Sequence, residues 1–367
     1  PRLGERSGSR VPQRTFQVMP VPRIPRPHAR ARAALFAAPL VGAWILASCS
    51  TPAPTGRSAV PIGLRSLPNG LAALAGGRPF AEIEIESGRP LLVRSLVGPR
   101  GTELLRPWTP DGSRAPASVR HPEQRSMWIA YGDVEGFDLW ARPERIQLTE
   151  ESVVLEPGGT VRLRARLDWT DEEDGLLVTE DRTLRFRALE GIRIVDVDVV
   201  LTAPGRGLRF GDTKDGFFAL RLAERFERTG ARATGEAWIA SGIESEDTPI
   251  WGERSPWCAV RAPSAVPETG AEADAGPDER RTTVAVFDHP DNPGHPTRWH
   301  VRPYGLLAAN PFGREAFNGA PSPRATLEMD AYERLRLRYR VFVTDESVDS
   351  DALDRAWAEW VGVGADA

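Results

Sequence analysis

Functional side chains crowd into three stretches of this 367-residue chain. The densest is residues 287–313, FDHPDNPGHPTRWHVRPYGLLAANPFG, which holds three of the five histidines. Its four prolines from Pro290 to Pro303 cannot donate to a ladder, so the backbone is expected to follow a fixed loop path instead of a sheet. The second stretch, residues 120–140 (RHPEQRSMWIAYGDVEGFDLW), sets His121 and Glu123 just ahead of an aromatic run. The third is GDTKDGFFALRL at 211–222, extended by WGERSPW at 251–257.

Tryptophan rings beside Asp, Asn, Arg and His suit a carbohydrate or another small polar ligand. The ring faces take apolar C–H surface and the polar groups fix hydroxyls. The expected binding residues are Trp128, Asp215, Trp251, Arg254, Trp257, Asn292, Trp299, Arg302, Tyr304 and Asn310. For acid–base chemistry on such a ligand, His300 or His289 would be the general acid and Asp288 or Glu123 the base. His121 is a further titratable group, and Lys214 a fixed cation for developing oxyanion charge. The same side chains without proton transfer describe a glycan-binding protein. A metal on His289, His295 and His300 is a weaker third reading, because spacings of six and five residues fit no helical register and prolines interrupt them. These residues specify no cofactor.

Lys214 stands out by composition. It is the only lysine, the other 46 basic residues being arginine, as a GC-rich genome would produce. An ammonium kept where arginine is the default points to a site that wants a compact head group. Gly211 and Gly216 bracket it as a tight turn ahead of a strand, so the lysine is expected at a binding cleft, its ammonium turned toward residues 287–313 and near Asp215 or Asp288.

The elements that must position these groups read as strands. Apolar and charged residues alternate at 82–86 (EIEIE), 161–167 (VRLRARL), 183–187 (TLRFR), 192–199 (IRIVDVDV) and 335–343 (LRLRYRVFV). Turns such as 156–159 (EPGG) and 204–207 (PGRG) separate them, and no strand–helix–strand alternation appears. The expectation is an all-β protein, a large antiparallel β-sandwich over residues 59–367, of the mutarotase-like supersandwich kind among the possibilities. Residues 262–280, rich in Ala, Pro, Gly and acid and without aromatics, are expected to be a mobile loop. At 350–362, Leu353, Trp357, Trp360 and Val361 fall on one stripe behind an Asp349/Ser350 cap and predict a terminal helix.

Ahead of the sandwich, residues 20–50 read as an arginine-rich segment, a short apolar run and small residues, the pattern of a secretory signal peptide. Leu46-Ala47-Ser48-Cys49 resembles a bacterial lipobox, which makes Cys49 the expected lipidated first residue of an exported, envelope-anchored protein. Met19 is then the expected start, residues 1–18 lie upstream, and 49–58 form a tether. Without residues 1–48 the chain has 39 basic and 50 acidic side chains, a formal charge of −11, which argues against nucleic acid as a partner. Membrane contact is expected through the lipid alone. With Cys49 acylated, Cys258 has no disulfide partner and is expected to be a small buried hydrophobe.

GDTKDGFFALRL, WGERSPW, the long 287–313 motif and the His-Pro segment at 121 resemble the bacterial PmoA-like family of unknown function (DUF6807 type), over about residues 80–345. That resemblance implies an exported β protein from bacteria that degrade complex carbohydrate. It gives no support to the family's "methane oxygenase" label, which would need several membrane spans. The family commonly has His-Pro-His-His where this chain has His121-Pro122-Glu123-Gln124, so two histidines are replaced.

Overall fold

The computed structural model describes residues 56–107, 121–229, 234–245, 249–264, 281–324 and 326–362. The expected signal peptide, Cys49 and nearly all of the tether lie outside the described residues. So does most of the expected loop, whereas Ala262 and Pro263 continue strand Trp257–Pro263, Ala262 being buried opposite Thr282.

Two antiparallel sheets face each other. The first has eight strands in the order Ile62–Leu67, Gly70–Ala75, Arg78–Glu84, Leu92–Leu96, Met127–Tyr131, Gly216–Arg221, Leu306–Asn310 and Arg298–Arg302. The second has nine, in the order Gly242–Ile243, Glu236–Ile239, Trp257–Pro263, Arg281–Asp288, Arg334–Thr344, Ile192–Thr202, Leu176–Leu189, Thr160–Thr170 and Ile146–Glu156. Strand Thr160–Thr170 of the second sheet alternates throughout, and Leu176–Leu189 does so along most of its length. In Thr160–Thr170, Val161, Leu163, Ala165 and Leu167 turn inward, while Arg162, Arg164 and Arg166 turn outward. Neighbouring strands answer those arginines with acids, as in Arg166–Asp181 and Arg340–Asp196, which explains how an arginine-rich sheet avoids self-repulsion.

The facing sides form one apolar core. Phe80 of the first sheet meets Phe186 of the second edge-on at 5.8 Å, and Phe218 stacks on Tyr339 at 5.2 Å. Cys258 is a free, fully buried thiol, pushed well up by burial. On the outer side of the nine-stranded sheet, Trp238, Trp257, Phe287 and Phe342 receive Leu353, Trp357 and Trp360 of helix Ser350–Val361. That helix starts where the Asp349 side chain accepts a hydrogen bond from Ala352 N and stops at Gly362 in the left-handed region, φ 78°.

The proline-rich stretch is only half a loop. Residues 298–302 and 306–310 pair as a hairpin at the edge of the first sheet, in the register Trp299 to Ala309 and His300 to Ala308. Pro290, Pro293 and Pro296 all precede the hairpin, and Pro303 sits in its turn, which Gly305 closes at φ 90°. No proline interrupts a ladder hydrogen bond there, so a strand forms where a loop was expected.

Candidate functional site

The Lys214 turn is fastened from every side. The Asp212 carboxylate, itself buried, accepts from the backbone N–H groups of Arg314, Glu315 and Ser322 at 2.7, 3.0 and 2.8 Å. Asn310 Nδ2 donates to Thr213 O at 2.9 Å, His300 Nδ1 donates to Lys214 O at 2.8 Å, and Gly132 N donates to Asp215 O at 2.7 Å. The glycines at both ends permit close approach. A Cβ on Gly211 would lie 1.8 Å from Asp133 Oδ2, and one on Gly216 would lie 2.2 Å from Tyr131 Cδ2. A turn pinned this way presents its side chains in one geometry.

Those side chains border a hollow of about 590 Å³. His121, Glu123, Asp138, Trp140, Lys214, Asp215, His300, Arg302 and Tyr304 line it, so the successive pairings of Met127–Tyr131, Gly216–Arg221, Leu306–Asn310 and Arg298–Arg302 gather groups from all three stretches. Lys214 Nζ pairs with Asp215 Oδ2 at 2.7 Å, on a side chain 42% exposed. Of the two carboxylates expected near the ammonium, Asp215 is there and Asp288 is not.

His300 is buried, with its ring parallel to Trp140 at 6.2 Å and edge-on to Trp251 at 4.9 Å. Burial, against the nearby Asp215 charge, pushes its imidazole down to about 3. It is therefore neutral at pH 7. With the Nδ1 proton committed to Lys214 O, Nε2 is left as an acceptor. The general-acid role expected of His300 does not suit this environment, because a ring that stays unprotonated has no proton to give. Across the hollow, reduced hydration and then the Asp215 charge push the Asp138 carboxyl above its usual range, against a hydrogen bond from Ala141 N.

Tyr304 forms another wall. Its ring lies between the His121 imidazole, stacked at 4.9 Å, and the buried Arg221 guanidinium at 4.4 Å. Glu123 Oε1 meets His121 Nδ1 at 3.0 Å, and Gln124 Oε1 accepts from Arg221 at 2.9 Å. Burial, with Arg106 nearby, pushes Arg221 down to about 10. Glu123 and Gln124 thus each hold a neighbouring ring or cation in place.

A second hollow, of about 450 Å³, adjoins the first and shares Lys214 and Arg302 with it. Arg302 Cζ lies 3.7 Å from the Trp251 ring centroid, and Trp251 Nε1 donates to Phe317 O at 2.9 Å. A larger hollow of about 630 Å³, around Arg78, Arg94, Arg100 and Glu103, has no histidine, lysine or aromatic side chain in its lining and offers less chemistry.

The model of a family of unknown function, DUF6807, matches residues 75–358, which include every residue of both hollows just described. The chain belongs to that family. No curated protein matches it. Among solved structures it is similar to the Slr1438 protein of Synechocystis sp. PCC 6803, at 11% identity and TM-score 0.39, over 81% of this chain and 98% of that one. It is also similar to a galactose mutarotase related enzyme of Lactobacillus acidophilus, at 8% identity and TM-score 0.34, over 78% of this chain and 100% of the other.

In this DUF6807 chain the other sequence candidates lie away from the hollows. Asp288 is fully buried and accepts from His295 Nδ1 at 2.7 Å, Asn292 Nδ2 at 2.8 Å and Thr297 N at 2.9 Å. Burial pushes its carboxyl up, and those hydrogen bonds oppose the shift. Asn292 also accepts from Arg338 N at 2.7 Å, and the helix closes over the group. Trp357 Nε1 donates to Asp288 O at 2.9 Å, Trp357 stacks on His295, and Trp360 meets His289 edge-on. Arg254 ties down the same loop through the carbonyls of Gly294, His295 and Pro296.

Trp257 Nε1 donates to Asp354, Trp299 Nε1 donates to Ser255 O, and Trp128 is buried against Trp140 behind the wall of the first hollow. The three-histidine metal set does not assemble. His289 and His295 face the terminal helix while His300 faces the Lys214 turn, and no metal-binding group of three or more His, Cys, Asp or Glu occurs among the described residues.

Sequence reasoning missed Asp138, Trp140 and Asp212. The segment 136–140 (GFDLW) was within view, but nothing local marks its carboxylate. Its meeting with Asp215 depends on pairing between strands far apart in sequence.

Proposed function

We propose that the joined hollows bind a carbohydrate, and that the neutral His300 imidazole accepts a hydrogen bond at Nε2 from one of its hydroxyls. The observation behind this reading is the fixed, neutral imidazole of His300, with one nitrogen spent on Lys214 O and the other free to accept, in a hollow that also holds cations, carboxylates and aromatic walls. For acid–base chemistry on that sugar, Asp138, with its raised carboxyl, is the group placed to exchange a proton, and Lys214 and Arg302 stabilise charge developing on oxygen. Trp140, Trp251 and Tyr304 supply faces for sugar C–H surface. A hollow of this polarity suits a hydroxyl-rich ligand and not an apolar gas, so the PmoA-like resemblance is not extended to methane oxidation. Binding without turnover is the second reading. It is favoured by the pairing of Lys214 with Asp215 and of His121 with Glu123, which fixes both side chains as ligand contacts.

The test is a panel of mono- and oligosaccharides titrated against the full chain, read by tryptophan fluorescence and followed by proton NMR of any sugar that binds. A change in emission from Trp140 and Trp251 is expected. A panel with no binder refutes the reading, and binding without any change in the sugar spectrum selects the non-catalytic form. We also propose that the protein is exported and lipidated at Cys49. Palmitate labelling of cells should vanish in Cys49→Ala, and labelling that persists would exclude this.

A further inference from the structure

The two hollows differ in charge. Carboxylates of Glu123, Asp138 and Asp215 line the first. The second is lined by Thr213, Lys214, Trp251, Arg302 and Phe317 with small residues behind them, and among the described residues no acidic side chain lines it. From this asymmetry we infer that the second hollow receives an anionic group, a carboxylate or sulfate, on the same sugar whose hydroxyls occupy the first. The inference rests on the carbohydrate reading above and names the ligand class within it.

Arg302 carries the argument. Lys214 is offset by Asp215 at 2.7 Å, but the Arg302 guanidinium has no hydrogen bond or ion pair to any other described residue. Its guanidinium is held through its contact with the Trp251 ring at 3.7 Å, and that ring is itself fixed by its bond to Phe317 O. A guanidinium held on an indole in this way keeps its N–H edge free, and that edge matches a carboxylate or sulfate in bidentate geometry. The neighbours add to the fit. The Thr213 hydroxyl and the Lys214 ammonium border the same space, and the Trp251 ring stands edge-on to His300 at 4.9 Å. An acid group bound by Arg302 therefore brings the adjoining ring hydroxyls to the His300 side.

Isothermal titration of the full chain with matched sugars tests this: D-galacturonate against D-galactose, D-glucuronate against D-glucose, and galactose 6-sulfate as the sulfate arm. The acidic member of a pair should bind at least about tenfold more tightly at low salt, and raising the ionic strength to about 0.5 M should shrink that preference. In Arg302→Gln the preference should disappear, the acidic member of each pair losing more affinity than its neutral partner. Which arm gains identifies carboxylate or sulfate as the group recognised. Equal affinity for acidic and neutral partners overturns the inference and leaves the carbohydrate reading in place, whereas no affinity for any of these sugars overturns both. A preference undiminished in Arg302→Gln also overturns it. If that variant does not fold, the salt titration of the unaltered chain decides, and a preference that salt leaves intact counts against the inference.

Discussion

Residues 287–313 build two polar assemblies from the same side-chain types. Around Asp288 the carboxylate and the amide beside it are fully engaged: the carboxylate takes three hydrogen bonds, Asn292 uses both ends of its amide, and the terminal helix covers the group. Around His300 the bonding stays incomplete. One imidazole nitrogen is spent on a carbonyl, the other has no hydrogen bond to a described residue, and Arg302 beside it has no acidic partner. A closed buried network contributes to folding, while an open one at a hollow is what a ligand can complete. Histidine and aspartate content is the same in both, so residue type alone does not separate a fastening from a site.

The strongest way to break this comparison is Asp288→Ala. Three donors then lose their acceptor, for an expected cost of about 3–5 kcal/mol in unfolding free energy. Urea denaturation measures it. Sugar affinity at a temperature where the variant remains folded should be unchanged, and a loss of affinity there would place Asp288 in the site after all.

The legible parts of the molecule are those with local causes. Strand alternation is visible because each side chain in a two-residue period meets either core or water, as Val161, Leu163 and Leu167 do. The helix is visible because its stripe and its Asp349 cap lie within a dozen residues. The Lys214 turn, Trp251, His121 and Glu123 were also within reach, since unusual composition marks them. Asp138 and Asp212 were not, because their roles come from strand pairing and from a backbone segment about a hundred residues away. The histidine stretch misled for a related reason: a hairpin begins at Arg298 and points His300 at the first sheet's hollow, while His289 and His295 stay behind under the helix.

Acid sharpens the comparison at an intermediate scale. His300 is pushed down to about 3 and His289 to about 4, each mainly by burial, whereas an unfolded histidine titrates near 6.5. Below about pH 6.5 the unfolded chain takes up these protons and the folded chain does not, so stability is full above that pH and falls as pH drops toward 4 and then 3. At pH 5 the share of His300 amounts to up to about 2 kcal/mol. His300→Gln should flatten the acid side of the stability curve by that share, and an unchanged slope would mean that the folded imidazole is not held neutral. Saturating sugar should alter the share of His300 and leave that of His289 as it was, because only the first borders the hollow.

The smallest expected effect is at Lys214, and it decides how the open assembly works. The turn around Lys214 is held by backbone bonds to Asn310, His300 and Gly132, none of which uses the lysine side chain, so Lys214→Arg should leave the melting temperature unaltered. The side chain itself is half-exposed, and its pair with Asp215 contributes at most about 1 kcal/mol to stability. Binding is another matter. Lys214 sits where the two hollows meet and shares that wall with the Arg302 guanidinium, so a second planar guanidinium would occupy ligand volume and crowd a like charge. We expect sugar affinity to fall about tenfold, close to 1.4 kcal/mol, with charge and fold retained. If Lys214→Arg binds as well as the original chain, the compact ammonium is not required, and recognition in the open assembly rests on Arg302 and His300 alone.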